Sequence, residues 1–143
     1  MKKLIKSASI ILLTLCVIGF ISIYTEEKSL NNKLVGAWVI ESSGYNAEKY
    51  SEEDIKNMVS NGGIFQGLKL MSNSMVYVDG TIVTFKENNN LNIGLLGGNY
   101  SINDKEIEID LGDGMIDSFE INIDDDKMSL VGDYIINLVK HNE

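Results

Sequence analysis

Lys105 to Asp124 read KEIEIDLGDGMIDSFEINID, two runs in which apolar and polar residues alternate one by one. In the first, Ile107, Ile109 and Leu111 lie on one side of an extended chain and Glu106, Glu108 and Asp110 on the other; in the second, Phe119, Ile121 and Ile123 oppose Glu120 and Asn122. A period of two belongs to the β-strand, whose successive side chains point to opposite faces. One face is then apolar and the other wet, which is the habit of antiparallel sheets; parallel sheets are covered on both sides.

The same rhythm extends outward. Turn signals separate the strand-like runs at Asp79-Gly80, Asn88 to Asn90, Gly97-Gly98, Asn103-Asp104, Asp113-Gly114, Asp124 to Asp126 and Gly132-Asp133. Short strands joined by turns of two to five residues predict an up-and-down antiparallel meander. Closing that meander into a small barrel removes the exposed edges it would otherwise carry. The expected fold is therefore mainly β, with one short helix. That helix is YSEEDIKNMVSNGG: Ser51 caps it, Glu52, Glu53 and Asp54 sit in the positive first turn, Ile55, Met58 and Val59 share a face, and Gly62 and Gly63 stop it. The following GGIFQGLKLM, Gly62 to Met71, is more apolar than a loop requires and reads as a strand or cover closing the barrel.

The chain opens differently. Lys2, Lys3 and Lys6 precede a charge-free run of 19 residues, Ser7 to Thr25, which ends at Glu26 and Glu27. A positive head on an apolar body is an export signal, either a cleaved signal peptide or a retained hydrophobic helix with its N-terminus in the cytoplasm. The length, close to the roughly 20 residues a membrane-spanning helix needs, favours the anchor. Cys16, in LTLC, raises lipid modification as a third fate, but Leu15 stands where a lipobox has a small residue. Residues 1–25 are thus expected to be a signal peptide or anchor, 26–33 a polar linker, and 34–143 one barrel domain. The domain would face the extracytoplasmic side of the cell membrane, or be secreted if the leader is cut.

Charge and cysteine content bound the rest. All 21 acidic residues and nine of the 12 lysines follow the apolar run, giving 9 − 21 = −12, and there is no arginine. Without clustered cations a nucleic-acid partner is excluded. Cys16 is the only cysteine, so no internal disulfide forms and the domain is held by its core. His141, the only histidine, is third from the end, where a frayed and solvated tail is expected. With one cysteine inside an apolar run and one tail histidine, neither a nucleophilic triad nor a zinc site can be assembled. DLGDGMID and DDDK cluster oxygen ligands but match no twelve-residue calcium loop and read as hairpin turns. No enzyme activity, metal or cofactor is expected.

Lys33 to Tyr45, KLVGAWVIESSGY, contain the only tryptophan. Gly36-Ala37-Trp38 in a first strand ahead of such a meander resembles the lipocalin-like (calycin-type) small barrels. GGNYSINDKEIEI, Gly97 to Ile109, and VYVDGTIVTFKEN, Val76 to Asn88, are similar to repeats of short bacterial members. The resemblance covers about Leu34 to Lys140. It implies that Trp38 plugs one end of the barrel, that Gly36 lets backbones approach, and that a basic side chain from the last strand covers the indole. Family members typically use Arg there, and Lys140 would have to take its place.

Two functions follow. In one, the barrel holds a small apolar ligand, contacted by Trp38, Phe85, Tyr100 and Phe119. In the other, a solid barrel acts as a cell-surface protein-interaction module, an inhibitor or sensor subunit. The inward set expected is Trp38, Ile40, Val83, Phe85, Tyr100, Ile102, Ile107, Ile109, Phe119 and Ile121, and its bulk argues for a filled interior.

Overall fold

From Ile82 onward each strand pairs with its neighbour in sequence, because a short turn leaves it no other partner. In the computed structural model, which describes residues 29–61, 73, 75–112, 114 and 116–142, the strands are β1 (Gly36–Tyr45), β2 (Ile82–Phe85), β3 (Asn90–Ile93), β4 (Leu96–Asn103), β5 (Glu106–Asp110), β6 (Ile116–Asp124), β7 (Lys127–Val131) and β8 (Tyr134–Lys140). All neighbours are antiparallel, and β8 returns to pair with β1, giving a closed eight-stranded barrel. Helix α1 (Glu52–Asn61) lies in the β1–β2 connection. Ser51 caps it as expected: its Oγ accepts from the Asp54 amide at 3.1 Å, while the Asp54 carboxylate accepts from the Ser51 amide at 3.0 Å and from its hydroxyl at 2.6 Å.

Alternation controls the burial. Strand β6 buries Asp117, Phe119 and Ile121 and exposes Ile116, Ser118, Glu120 and Asn122. In β1 the phase changes partway, because the pairing with β8 jumps from Ile40–Leu138 to Ser42–Asn137 and leaves Glu41 as an extra residue. This bulge puts Glu41 and Ser42 outside in succession, so that Trp38 and Ile40 point inward before it and Ser43 and Tyr45 after it. Nine of the ten expected inward residues are buried; Ile102 is only partly so, lying near the end of β4 against the core. Leu34, Tyr77, Leu91, Ile93, Met128, Leu130, Tyr134, Ile136 and Leu138 are buried with them.

The barrel has two distinct ends. At the lower end lie the start of β1, the end of β8 and the β2–β3, β4–β5 and β6–β7 turns; at the upper end lie the β1–β2 connection and the β3–β4, β5–β6 and β7–β8 turns. The lower turns are polar, with Asn89, Asp104 and Asp125 at φ 62°, 57° and 50°, the left-handed region that Asn and Asp tolerate best after glycine.

Three expectations are corrected. Gly97-Gly98 is not a turn but part of β4; the chain reverses at Gly94-Leu95, with Gly94 at φ 56°. Gly98 is needed for close approach, since a Cβ there would stand 2.5 Å from the Asp110 carbonyl oxygen. Residues 29–34, expected to be linker almost throughout, are helical, because Leu30 and Leu34, one helical turn apart, both pack on the barrel core. His141 is not frayed: its amide donates to the Ala37 carbonyl at 3.0 Å and it is half-buried. The expected apolar helix and Cys16, Gly62-Gly63 as a helix stop, and GGIFQGLKLM fall outside the described residues, as do the side chains of Met58 and Val59. No helix among the described residues is long and apolar enough to cross a membrane.

Candidate functional site

The lower end is closed by Trp38. Its ring is fully buried, and its Nε1–H donates to the Leu34 carbonyl at 2.7 Å, tying the indole to the helical segment 29–34. Lys140 spans the opening with Nζ 4.3 Å from the ring centroid, and the same ammonium donates to the Val35 carbonyl at 3.1 Å and the Lys33 carbonyl at 3.5 Å. The cation is thus held by the indole face and by carbonyl oxygens at once. The glycine's role differs from simple backbone approach: Gly36 has φ 128°, and a Cβ there would stand 2.9 Å from the Lys140 Nζ. Its missing side chain makes room for the lysine.

The other three residues expected to contact a ligand are also occupied by the core. Phe85 and Tyr100 meet edge to face at 5.2 Å. The Tyr100 hydroxyl donates to the Lys86 carbonyl at 2.8 Å and lies 3.2 Å from Asn31 Oδ1, and burial pushes its phenol pKa up. Phe119 lies at the opposite end, edge to face with Tyr77 at 5.9 Å. The four residues therefore do not converge: Trp38, Phe85 and Tyr100 fill the lower half and Phe119 the upper.

Around Phe119 the structure assembles a cluster that the opening pattern only partly reveals. Tyr77 also packs on Tyr134 at 6.3 Å, and Tyr134 meets Tyr45 edge to face at 5.2 Å. Burial, then the neighbouring Tyr134 phenol, raises the Tyr45 pKa. The Tyr77 hydroxyl donates to Asp117 Oδ2 at 3.1 Å, and Asp117 is buried. Its inward placement was readable in IDSFEINI, where Asp117 is in phase with Phe119 and Ile121. Asn46 locks the same end, donating from Nδ2 to the Gly132 carbonyl at 2.9 Å and accepting from the Glu48 amide at 3.1 Å. No buried side-chain polar atom among the described residues lacks a partner.

A groove of about 420 Å³ runs between the helical segment 29–34 and the β4–β5 turn, lined by Leu30, Lys33, Asp104, Lys105, Glu120 and Ile123 among others, a mixed and solvent-open surface. Among the described residues no group of three or more His, Cys, Asp or Glu side chains is placed to hold a metal. Among the described residues the exposed large apolar side chains are all at the upper end: Met75 and Val78 in the β1–β2 connection, Ile82 opening β2, Leu95 and Leu96 at the β3–β4 turn, Ile116 opening β6 and Val131 closing β7. Leu95, at a hairpin tip where Asn, Asp or Gly is usual, is wholly exposed.

No family model, curated protein or solved structure matches the chain. What stands is an eight-stranded, antiparallel, up-and-down closed β-barrel with Trp38 sealing one end.

Proposed function

We propose that this chain is a non-enzymatic, exported barrel of the lipocalin-like kind, tethered at the membrane through its N-terminal segment, and that it serves as a protein-interaction module. One observation carries the choice over a ligand carrier. Trp38, Phe85, Tyr100 and Phe119 are each buried against other core side chains or under Lys140, so they offer no common wall to a guest. A small-molecule site needs a concave apolar space of about 300 Å³ or more with a few convergent polar groups. The buried side-chain polar atoms among the described residues are already paired. Among the described residues the large exposed apolar side chains stand instead at the upper end, which is where we place the contact surface. Lipocalin-like kinship draws support from the barrel topology and from Lys140 over Trp38.

The test is a photo-crosslinking amino acid placed in the native membrane either at Leu95, on the rim, or at Asp126, in the β6–β7 turn of the lower end. The expected result is a discrete protein adduct from position 95 and none from position 126. Absence of a rim adduct, or a small apolar molecule bound one-to-one in a native mass spectrum of the purified chain, would overturn this reading.

A further inference from the structure

The helical segment 29–34 is more than an approach to β1. Its start, Ser29 and Leu30, lines the groove beside Asp104 and Lys105 of the β4–β5 turn and Ile123 of β6. Its end, Leu34, accepts the indole N–H of Trp38 in β1. In a closed barrel of eight strands β1 and β5 stand on opposite sides, so the segment crosses the lower mouth from one wall to the other. It is held along its length. Leu30 and Leu34 pack on the core, Asn31 Oδ1 lies 3.2 Å from the Tyr100 hydroxyl, and the Lys140 ammonium donates to the Lys33 carbonyl at 3.5 Å. The Val35 amide closes the last turn on the Asn31 carbonyl at 3.1 Å. A segment fixed at both sides of an opening moves with the barrel instead of swinging from it.

The sequence ties this crossbar closely to the charge-free run. Only residues 26–28 separate Thr25, where that run ends, from Ser29. Those steps span at most about 14 Å when fully extended. The headgroup layer outside the hydrocarbon takes up roughly 5 to 8 Å of that distance. The upper end is farther away, since β4, with eight residues, climbs about 20 Å along the axis at the usual rise and barrel tilt. We infer that the barrel stands on the membrane with its Trp38 end toward the lipid headgroups, and that the segment 29–34 is the strap that holds this pose. The inference rests on the membrane tether in the reading above. It turns the sealed end to the lipid and the upper end to the aqueous side, from which a protein partner reaches it. Charge does not choose the pose. Beside the strap Lys33 and Lys105 are matched by Asp104 and Glu120, and Lys127 adjoins the Asp124 to Asp126 turn, so there is no excess of cations to attract anionic lipid.

The experiment uses the full chain in phosphatidylcholine nanodiscs whose lipid headgroups carry an acceptor dye. An azide-bearing amino acid at position 126 or position 95 is coupled to a donor dye, and energy transfer is read. Transfer should be about twofold or more stronger from 126 than from 95, given the height of the barrel. A Gly/Ser linker of about ten residues inserted between Lys28 and Ser29 spreads over roughly 16 to 19 Å and should bring the ratio toward one. The insertion alters no residue of the barrel, so a lost ratio there is not an unfolded domain. Leu30→Ser with Asn31→Ala, which releases the strap and leaves Trp38 in place, should act in the same direction. Replacing part of the lipid with anionic phosphatidylglycerol should leave the ratio standing. Equal transfer from the two positions, stronger transfer from 95, a ratio that survives the linker, or a ratio seen only with phosphatidylglycerol would each overturn the inference. Alkaline carbonate washing of native membranes separates the two readings. A chain that stays in the membrane but shows equal transfer loses only the pose; a chain that washes out loses the tether and the pose together.

Discussion

Trp38→Ala is the most informative single change, because one side chain joins β1, the helical segment 29–34 and the end of β8. The indole is completely buried. A buried aromatic removes about 150 to 250 Å² from water, and at about 25 cal/mol per Å² this is worth roughly 4 to 6 kcal/mol. That range is an upper bound, since a collapsed unfolded chain already hides some of the ring. Loss of the Nε1–H donor to Leu34 adds about 1 kcal/mol. Partial collapse of the site returns some of this, so the expected net loss is about 3 to 5 kcal/mol, in line with Trp-to-Ala changes in cores. Domain stability totals only about 5 to 15 kcal/mol, so the variant should be close to unfolding at room temperature. The assay is urea denaturation of the detergent-solubilised chain followed by circular dichroism, with Lys140→Met as the partner variant. Lys140→Met keeps the aliphatic cover and loses the cation, an exposed-site interaction of about 0.5 to 1 kcal/mol, together with its hydrogen bonds to carbonyls. It should cost less than half as much as Trp38→Ala. A Trp38→Ala loss below about 1 kcal/mol, or a larger loss from Lys140→Met, would refute the assignment of Trp38 as the plug.

Two further outcomes are expected. Gly97→Ala and Gly98→Ala should diverge although the residues adjoin: a Cβ at Gly97 meets nothing nearer than Asn92 Oδ1 at 3.9 Å, whereas at Gly98 it meets the Asp110 carbonyl oxygen at 2.5 Å and Leu111 Cα at 3.2 Å. Urea midpoints should show little change for the first and a loss of about 1 to 3 kcal/mol for the second, the usual cost of overpacking; equal effects would contradict the close strand approach. Stability should also fall in alkali. Burial raises the Tyr100 pKa above its ordinary value of 10.0, so its contribution is fully present below about pH 10. Above that the unfolded chain releases the proton more readily, and the contribution is lost as pH rises through the folded pKa. Tyr100→Phe should lower the urea midpoint at neutral pH and flatten its alkaline decline; an unchanged alkaline slope would remove Tyr100 from that role.

Much of this barrel is written in local pattern. The alternation in KEIEIDL and SFEINI predicts strands, their wet and dry faces and antiparallel pairing, because a period of two and a short turn are properties of a few consecutive residues. Ser51 with Asp54 three residues later is legible as a helix start for the same reason. The pairing of Lys140 with Trp38 was expected only through family resemblance, since the two residues are far apart in the chain and meet when β8 closes on β1.

What escaped the pattern depends on neighbours in space. Two adjacent glycines look like a turn, yet only the approach of Asp110 and Leu111 across the β4–β5 pair requires one of them. The bulge at Glu41 follows from matching β1 to β8 around a closed circle, a constraint no local stretch contains. Alternation says which face a side chain takes but not how far along the barrel axis it lies. The sequence by itself therefore determined a greasy interior and antiparallel ribbons. That Leu95, Ile116 and Val131 stand exposed at the same end of the barrel was decided only when eight strands fixed the height of every residue relative to the others.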